Sequence, residues 1–317
     1  MNITSVGLHV TDRCNARCLH CAFGCGPNFK DPMGLKEAKR YVIDAKALDT
    51  RIVCISGGEP MLYPNLVKKI ISECSRLSFS EIWLFTNCFW ALDMSKAYAT
   101  VEKLISLGLT KMFTSIDVFH QSYVPVGSVK NAIEVSLEFD LEVCVDVRFI
   151  GKPEEENEFN RATRSLLESL DNLLPKVEVL KAQPMFVGRA AESLARHVKM
   201  KPLFEILNEK CPGAWTGGTL KSPFGVDVDE LGFVTICPGL SIGNTRQTSL
   251  RKIIEKYDYQ DYAVIAVLCY DDMKGLMNLA SENRFVSKEA YASGCHFCYE
   301  TRKFLRHIFP NAFTLST

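Results

Sequence analysis

The sequence predicts an α/β fold: a partial (β/α)6 barrel of the TIM-like kind, followed by a C-terminal segment of different character. Three observations lead there. Apolar, β-rich runs alternate with helical patterns through the first two thirds of the 317 residues. A tight group of cysteines stands where the first of those runs ends. The alternation stops near residue 195, and cysteines return in the part that follows.

The elements come in order. Residues 4–10 read as the first strand, and residues 35–48 as a helix with Leu35, Ala38, Tyr41, Val42 and Ala45 on one face. Arg51 to Ser56 is a buried strand, 64–75 a helix, Glu81 to Thr86 a strand and 94–107 a helix. Lys111 to Ile116, Glu142 to Ile150 and Val177 to Gln183 are strands, separated by helices over 128–139 and 154–170. Strand–helix repetition means parallel strands with crossover helices. Six units of roughly 30 residues suit an open or partial barrel better than a closed eight-fold one. We therefore divide the chain at residue 195, into a barrel over 1–195 and a second domain over 196–317. In that second part, Gly225 to Val228 and Phe233 to Ile236 read as a hairpin, residues 249–290 as mostly helical, and the last thirty as a CxxC followed by a helix.

Composition narrows the function. Formal net charge is zero, with 23% charged residues, so nothing asks for nucleic acid or an anionic membrane as a partner. The first residues lack a signal peptide's basic start and apolar stretch, and no window reaches the ~18–20 apolar residues of a membrane span. We expect a cytoplasmic protein. Thirteen cysteines, an odd number without an export signal, read as metal ligands where clustered and as small buried hydrophobes where scattered.

The first cluster is Cys14-Asn15-Ala16-Arg17-Cys18-Leu19-His20-Cys21, a CxxxCxxC spacing. Thiolates suit iron–sulfur clusters or zinc. A 4Fe-4S cluster usually takes four cysteines, so three on one loop leave an iron open to a ligand. The loop lies at the C-terminal end of a strand, where parallel α/β folds place their chemistry. CNxxCxHC directly after a strand, in an alternating α/β chain, resembles the signature of the radical S-adenosylmethionine (SAM) superfamily. That resemblance implies that Cys14, Cys18 and Cys21 bind a 4Fe-4S cluster whose fourth iron takes the amino and carboxylate groups of SAM. Its reduction would cleave SAM to methionine and a 5′-deoxyadenosyl radical, which takes hydrogen from a substrate. Cys25, just beyond the motif, reads as a bystander.

Further motifs fall at later strand ends. Gly57-Gly58-Glu59-Pro60 follows the second strand; taken alone, it is a turn whose glycines let backbone approach a ligand. In this setting it resembles the family's element for the amino group of SAM. Thr86-Asn87, Ser115, Asp117 and Arg148 stand at the ends of the next strands. They are either contacts to the ribose and carboxylate of SAM, as the resemblance implies, or helix caps. His20 occupies a position that the family often sets near adenine, and Gln183 to Ala190 resembles the stretch that runs past adenine. Cys88, on the loop after Thr86-Asn87, is a candidate for substrate contact.

Four cysteines remain prominent in the tail: Cys211, Cys237, Cys295 and Cys298. Paired loops of this kind make zinc ribbons. In a radical SAM chain, Cys, GxxxxC and CxxC in that order resemble the twitch form of the SPASM-like auxiliary domain, which holds a second 4Fe-4S cluster. Cys54, Cys74 and Cys144 read as core.

Within the superfamily the chain resembles the peptide epimerases. The shared residues are Thr86-Asn87-Cys88-Phe89-Trp90, Asp117 with His120, Cys211-Pro212-Gly213 and the tail cysteines. Those epimerases carry a hydrogen-donor cysteine directly after the auxiliary ligand; here that position is Pro238. Oxidation or crosslinking of a ribosomally made peptide is therefore favoured over epimerisation. The alternative is a radical dehydrogenase of a small alcohol or amino sugar, and the alternative outside enzymes is a metal-binding scaffold. The resemblance also implies a one-electron donor such as flavodoxin or ferredoxin.

Overall fold

The structure is a computed structural model that describes residues 1–29 and 31–314. Its first six strands are β1 (Ser5–His9), β2 (Ile52–Ser56), β3 (Glu81–Phe85), β4 (Lys111–Ser115), β5 (Glu142–Arg148) and β6 (Glu178–Ala182). They lie side by side in chain order, and every pairing among them is parallel. The crossovers are α1 (Leu35–Ala47), α2 (Pro64–Arg76), α3 (Met94–Ser106), the short α4 (Val118–Gln121) with α5 (Val126–Glu138), and α6 (Glu158–Glu168). This is the expected partial barrel.

Burial along the strands explains its shape. Parallel strands are usually buried on both faces. Here Val53, Ile55, Ile82, Leu84, Met112, Val143, Val145 and Val147 are fully buried on the face that packs under the helices. The alternate positions, such as Cys54, Trp83, Phe85, Phe113 and Ser115, are only half-buried. They line a hollow.

After β6 come α7 (Arg189–Ser193), the two-residue strand β7 (Lys201–Pro202) and α8 (Leu203–Ile206). Strands β8 (Gly225–Asp229), β9 (Phe233–Cys237) and β10 (Leu240–Asn244) form an antiparallel meander. β8 pairs in parallel with β1, so the meander extends the barrel sheet to nine strands. The chain then forms α9 (Leu250–Glu255), α10 (Ala263–Glu282), the two-residue strand β11 (Ala290–Tyr291) and α11 (Gly294–Leu305). The Tyr41 hydroxyl on α1 lies 2.6 Å from Thr245 Oγ1, tying the first crossover to the end of β10.

Two features differ from the sequence expectation. β10 has no counterpart in the sequence reading, because Gly239 and Gly243 punctuate it like a loop and its pairing with β9 contains register shifts. The CxxC does not precede the last helix but occupies its first turns, behind Ser293, whose side chain caps the helix by accepting from His296 N.

Candidate active site

The hollow of the barrel contains a cavity of about 340 Å³ at the C-terminal ends of the strands. Cys14, Cys18 and Cys21 all line it. Their loop is held from two sides. On one side Gly58 N donates to the Thr11 carbonyl at 2.6 Å, and Glu59 N to the Arg13 carbonyl at 2.9 Å. A Cβ on Gly57 would meet the Thr11 carbonyl oxygen at 2.6 Å, and Gly57 has φ +149°, so glycine is required for this approach. On the other side Arg189 donates to three loop carbonyls: Cys18 (2.9 Å), Gly24 (2.5 Å) and Cys25 (2.6 Å). Arg189 N also donates to the Cys21 carbonyl at 3.0 Å. The sequence places Arg189 within the stretch that resembles the one past adenine and gives no sign of this clamp, which depends on a residue 171 positions from Cys18. Replacing Arg189 by Ala would leave these carbonyls short of donors, at ~1–3 kcal/mol each where buried. Anaerobically purified Arg189→Ala is expected to lose the four irons of a 4Fe-4S cluster on this loop, as read by iron assay.

The wall residues sort by what they face. His20, Gly57, Gly58, Thr86, Asn87, Ser115 and Arg148 line the cavity, as do Asp146 and His120. Glu59 and Pro60 do not: both are buried behind the wall. Glu59 accepts from Met61 N (2.9 Å), Thr86 Oγ1 (2.8 Å) and Asn87 N (2.7 Å). Burial outweighs those bonds and raises its carboxyl to about 7. Its visible work is to position Thr86 and Asn87. Asp117 is fully buried and caps α4, accepting from Phe119 N and His120 N at 3.0 Å. It also lies 3.0 Å from His120 Nδ1. Burial alone would lower the pKa of His120, but the charge and hydrogen bond of Asp117 raise it above its ordinary value. Burial instead drives His20 down to about 3, so that ring is neutral. Arg148 Nε is bonded to Asp146 Oδ2 at 2.8 Å.

The two spare thiols exchange roles. Cys88 has φ +60° and is fully buried, its Sγ 3.3 Å from Thr114 Oγ1 in the core. Cys25 lines the cavity, with Sγ 3.5 Å from Asp12 Oδ1 and 3.8 Å from His9 Nε2. Phe23 and Trp215, edge to face at 5.6 Å, complete that side.

Burial pushes the Cys14 thiol up to about 12 and Cys18 further, so a thiolate there needs a bound cation. A single tetrahedral zinc, with Zn–S near 2.3 Å, gathers its thiolates to about 3.8 Å of one another. Among the described residues, no three thiols come within 4.8 Å of one another. Three thiols on one loop leave an iron of a 4Fe-4S cluster open to a further ligand, and the Cys18 thiol also lies within 4.8 Å of ring nitrogens of His20 and His120. In the tail, Cys211, Cys237, Cys295 and Cys298 line one pocket, the four-thiol set that such a cluster takes. There α10 kinks at Asp271 and Asp272, and Asp272 Oδ1 accepts from Cys211 N at 2.9 Å. Met185 lines both this pocket and the large cavity.

A family model described as the Radical SAM superfamily matches residues 8–166, half of the chain and all of the cysteine loop. The chain belongs to the radical SAM superfamily. As a radical SAM enzyme it binds a 4Fe-4S cluster and SAM. Over nearly its whole length, 96% of this chain and 95% of the other, it is 22% identical to a Bacillus subtilis (strain 168) protein named "Putative peptide biosynthesis protein YydG". A GTP 3′,8-cyclase of Desulforamulus reducens is 29% identical over 119 residues, 37% of this chain and 35% of that one. The solved structure of anSMEcpe with bound AdoMet superposes with TM-score 0.54 at 12% identity, over 96% of this chain and 97% of that one. At that identity it speaks for the shared fold.

No helix among the described residues is long and apolar enough to cross a membrane.

Proposed function

We propose that this radical SAM enzyme oxidises a ribosomally made peptide, with residues 1–195 forming the SAM-cleaving barrel and 196–317 the auxiliary part. The observation that carries this reading is the shared Met185 wall: a substrate radical in the cavity lies one side chain from the four-thiol pocket. Cys14, Cys18 and Cys21 would hold a 4Fe-4S cluster, which would supply the electron for SAM cleavage, and Cys211, Cys237, Cys295 and Cys298 would hold a second, which would supply an electron acceptor.

The chain's own residues do the rest. Thr86, Asn87, Ser115 and Arg148 offer polar contacts for SAM at the strand ends. Phe85, Phe113, Leu180, Phe23 and Trp215 form apolar walls that suit an amino-acid side chain better than a sugar. They also keep water from a radical. Two hydrogens leave the substrate. The first leaves as an atom, taken by the 5′-deoxyadenosyl radical. The second leaves as a proton, which His120 accepts in its neutral form; Asp117, bonded to Nδ1, raises the basicity of the ring and stabilises the imidazolium that results. The likeness to YydG, a protein named for peptide biosynthesis, supports a peptide over the small-alcohol or amino-sugar alternative. A flavodoxin or ferredoxin would deliver the electrons. Cys25 favours a second reading, hydrogen return to the radical, because its thiol lines the cavity.

Reduced enzyme with SAM should release 5′-deoxyadenosine slowly by itself. A cognate short peptide should raise that rate about tenfold or more, a barrier change of about 1.4 kcal/mol. Stimulation by an alcohol or amino sugar, with none by peptides, would assign the enzyme to the small-molecule alternative.

A further inference from the structure

The tail pocket holds a charge that the proposed function does not use. Arg302, on α11 one turn after Cys298, is 5% exposed. Nη1 donates to the Pro238 carbonyl at 3.0 Å, and the side chain lines the pocket together with Cys211, Cys237, Cys295 and Cys298. Nε is buried without a partner. No ion pair to a carboxylate reaches Arg302 among the described residues; its neighbours in the pocket include the thiols of Cys211, Cys237, Cys295 and Cys298. Arg306, next along the helix, also carries a buried Nε without a partner.

A guanidinium cannot shed its proton at ordinary pH. Buried among neutral thiols, it would be an uncompensated charge and costly to keep. Buried among thiolates around iron, it is paired. The pocket thus needs negative charge as much as that charge needs the arginine.

We propose that Arg302 is the charge partner of the auxiliary iron–sulfur group and raises its reduction potential. The inference rests on the reading of the four tail cysteines as cluster ligands. Its physical content is simple. Each electron taken up adds one negative charge to the thiolate-bound group. A fixed positive charge buried in the same pocket as the ligand sulfurs stabilises the reduced form more than the oxidised form. The arginine thereby makes the group a better acceptor for the electron withdrawn from the substrate.

The test is a redox titration of the full chain, followed by electron paramagnetic resonance, with Cys14, Cys18 and Cys21 replaced by Ala. Only the auxiliary signal then remains. Arg302→Gln, neutral but still a donor, should shift the reduction equilibrium at least about tenfold toward the oxidised form, which is about 59 mV for a one-electron couple. Arg302→Lys, which keeps the charge, should shift it by much less. Equal shifts in the two variants, or none in Arg302→Gln with its iron retained, would overturn the proposal. If Arg302→Gln loses the auxiliary iron while Arg302→Lys keeps it, the charge is required and the pairing stands. Loss in both variants overturns it. The measurement needs no substrate, so a shifted potential in an enzyme that does not oxidise its peptide would sink the proposed function and leave this inference intact. Zinc in place of iron in the background protein would remove the premise of both.

Discussion

Cys18→Ala should abolish release of 5′-deoxyadenosine from reduced protein supplied with SAM, a loss from a measurable rate to none. Cys18 is the middle thiol of the loop, 7% exposed, and it faces the cavity together with Cys14 and Cys21. Only three cysteines of that loop belong to the CxxxCxxC motif, so removing one leaves too few ligands for a stable 4Fe-4S cluster. Cys25 is the one thiol near enough to step in. Its thiol is engaged by Asp12 and His9, and a rescue would need those contacts to break. The companion measurement is iron. Wild type should carry about eight irons per chain, and the variant lacking Cys14, Cys18 and Cys21 about four. Undiminished SAM cleavage in Cys18→Ala would remove the assignment of the loop. Four irons with one zinc in wild type would remove the auxiliary cluster instead.

Much of the barrel is legible in the sequence because β1, β2, β3 and β5 each carry one strictly apolar face. Val53 and Ile55, or Ile82 and Leu84, alternate with residues that line the hollow, and that period of two marks the strand within a residue or so of its observed ends. The cysteine loop is legible because its ligands are local. What fails to show is whatever depends on a distant partner. The side chain of Glu59 could point at a ligand or into the wall, and Thr86 and Asn87, 27 and 28 residues later, decide for the wall. Cys88 looks placed for substrate because its loop follows a strand. Its left-handed backbone turns the thiol back under the sheet, toward Thr114. Cys25 looks incidental until the fold brings Phe23 and Trp215 alongside it. Cys211 sits far from the other tail ligands in sequence, and only the kink at Asp272 explains how it is held.

Turnover in deuterated water should yield a peptide lighter by two hydrogens, with no deuterium at the reacting carbon. The outcome depends on the hydrogen sources that the cavity offers. Epimerisation requires an atom delivered to the opposite face of the carbon radical, and a solvent-exchanged S–H is the usual donor. Pro238, next to Cys237, has none to give. Cys237 faces the four-thiol pocket. Cys88 is sealed in the core. Oxidation needs only an acceptor for one electron and a base for one proton, and the cavity has the auxiliary pocket behind Met185 and His120 held by Asp117. Cys25 is the one group that argues the other way, because its thiol reaches the cavity. The two outcomes differ in sign by mass spectrometry. A product heavier by the one deuterium means hydrogen return, and Cys25→Ala should then abolish deuterium incorporation while SAM cleavage persists. If instead the product is two hydrogens lighter, Cys25→Ala should leave its mass unchanged, and His120→Phe should slow its formation more than it slows SAM cleavage, because only proton removal depends on that ring.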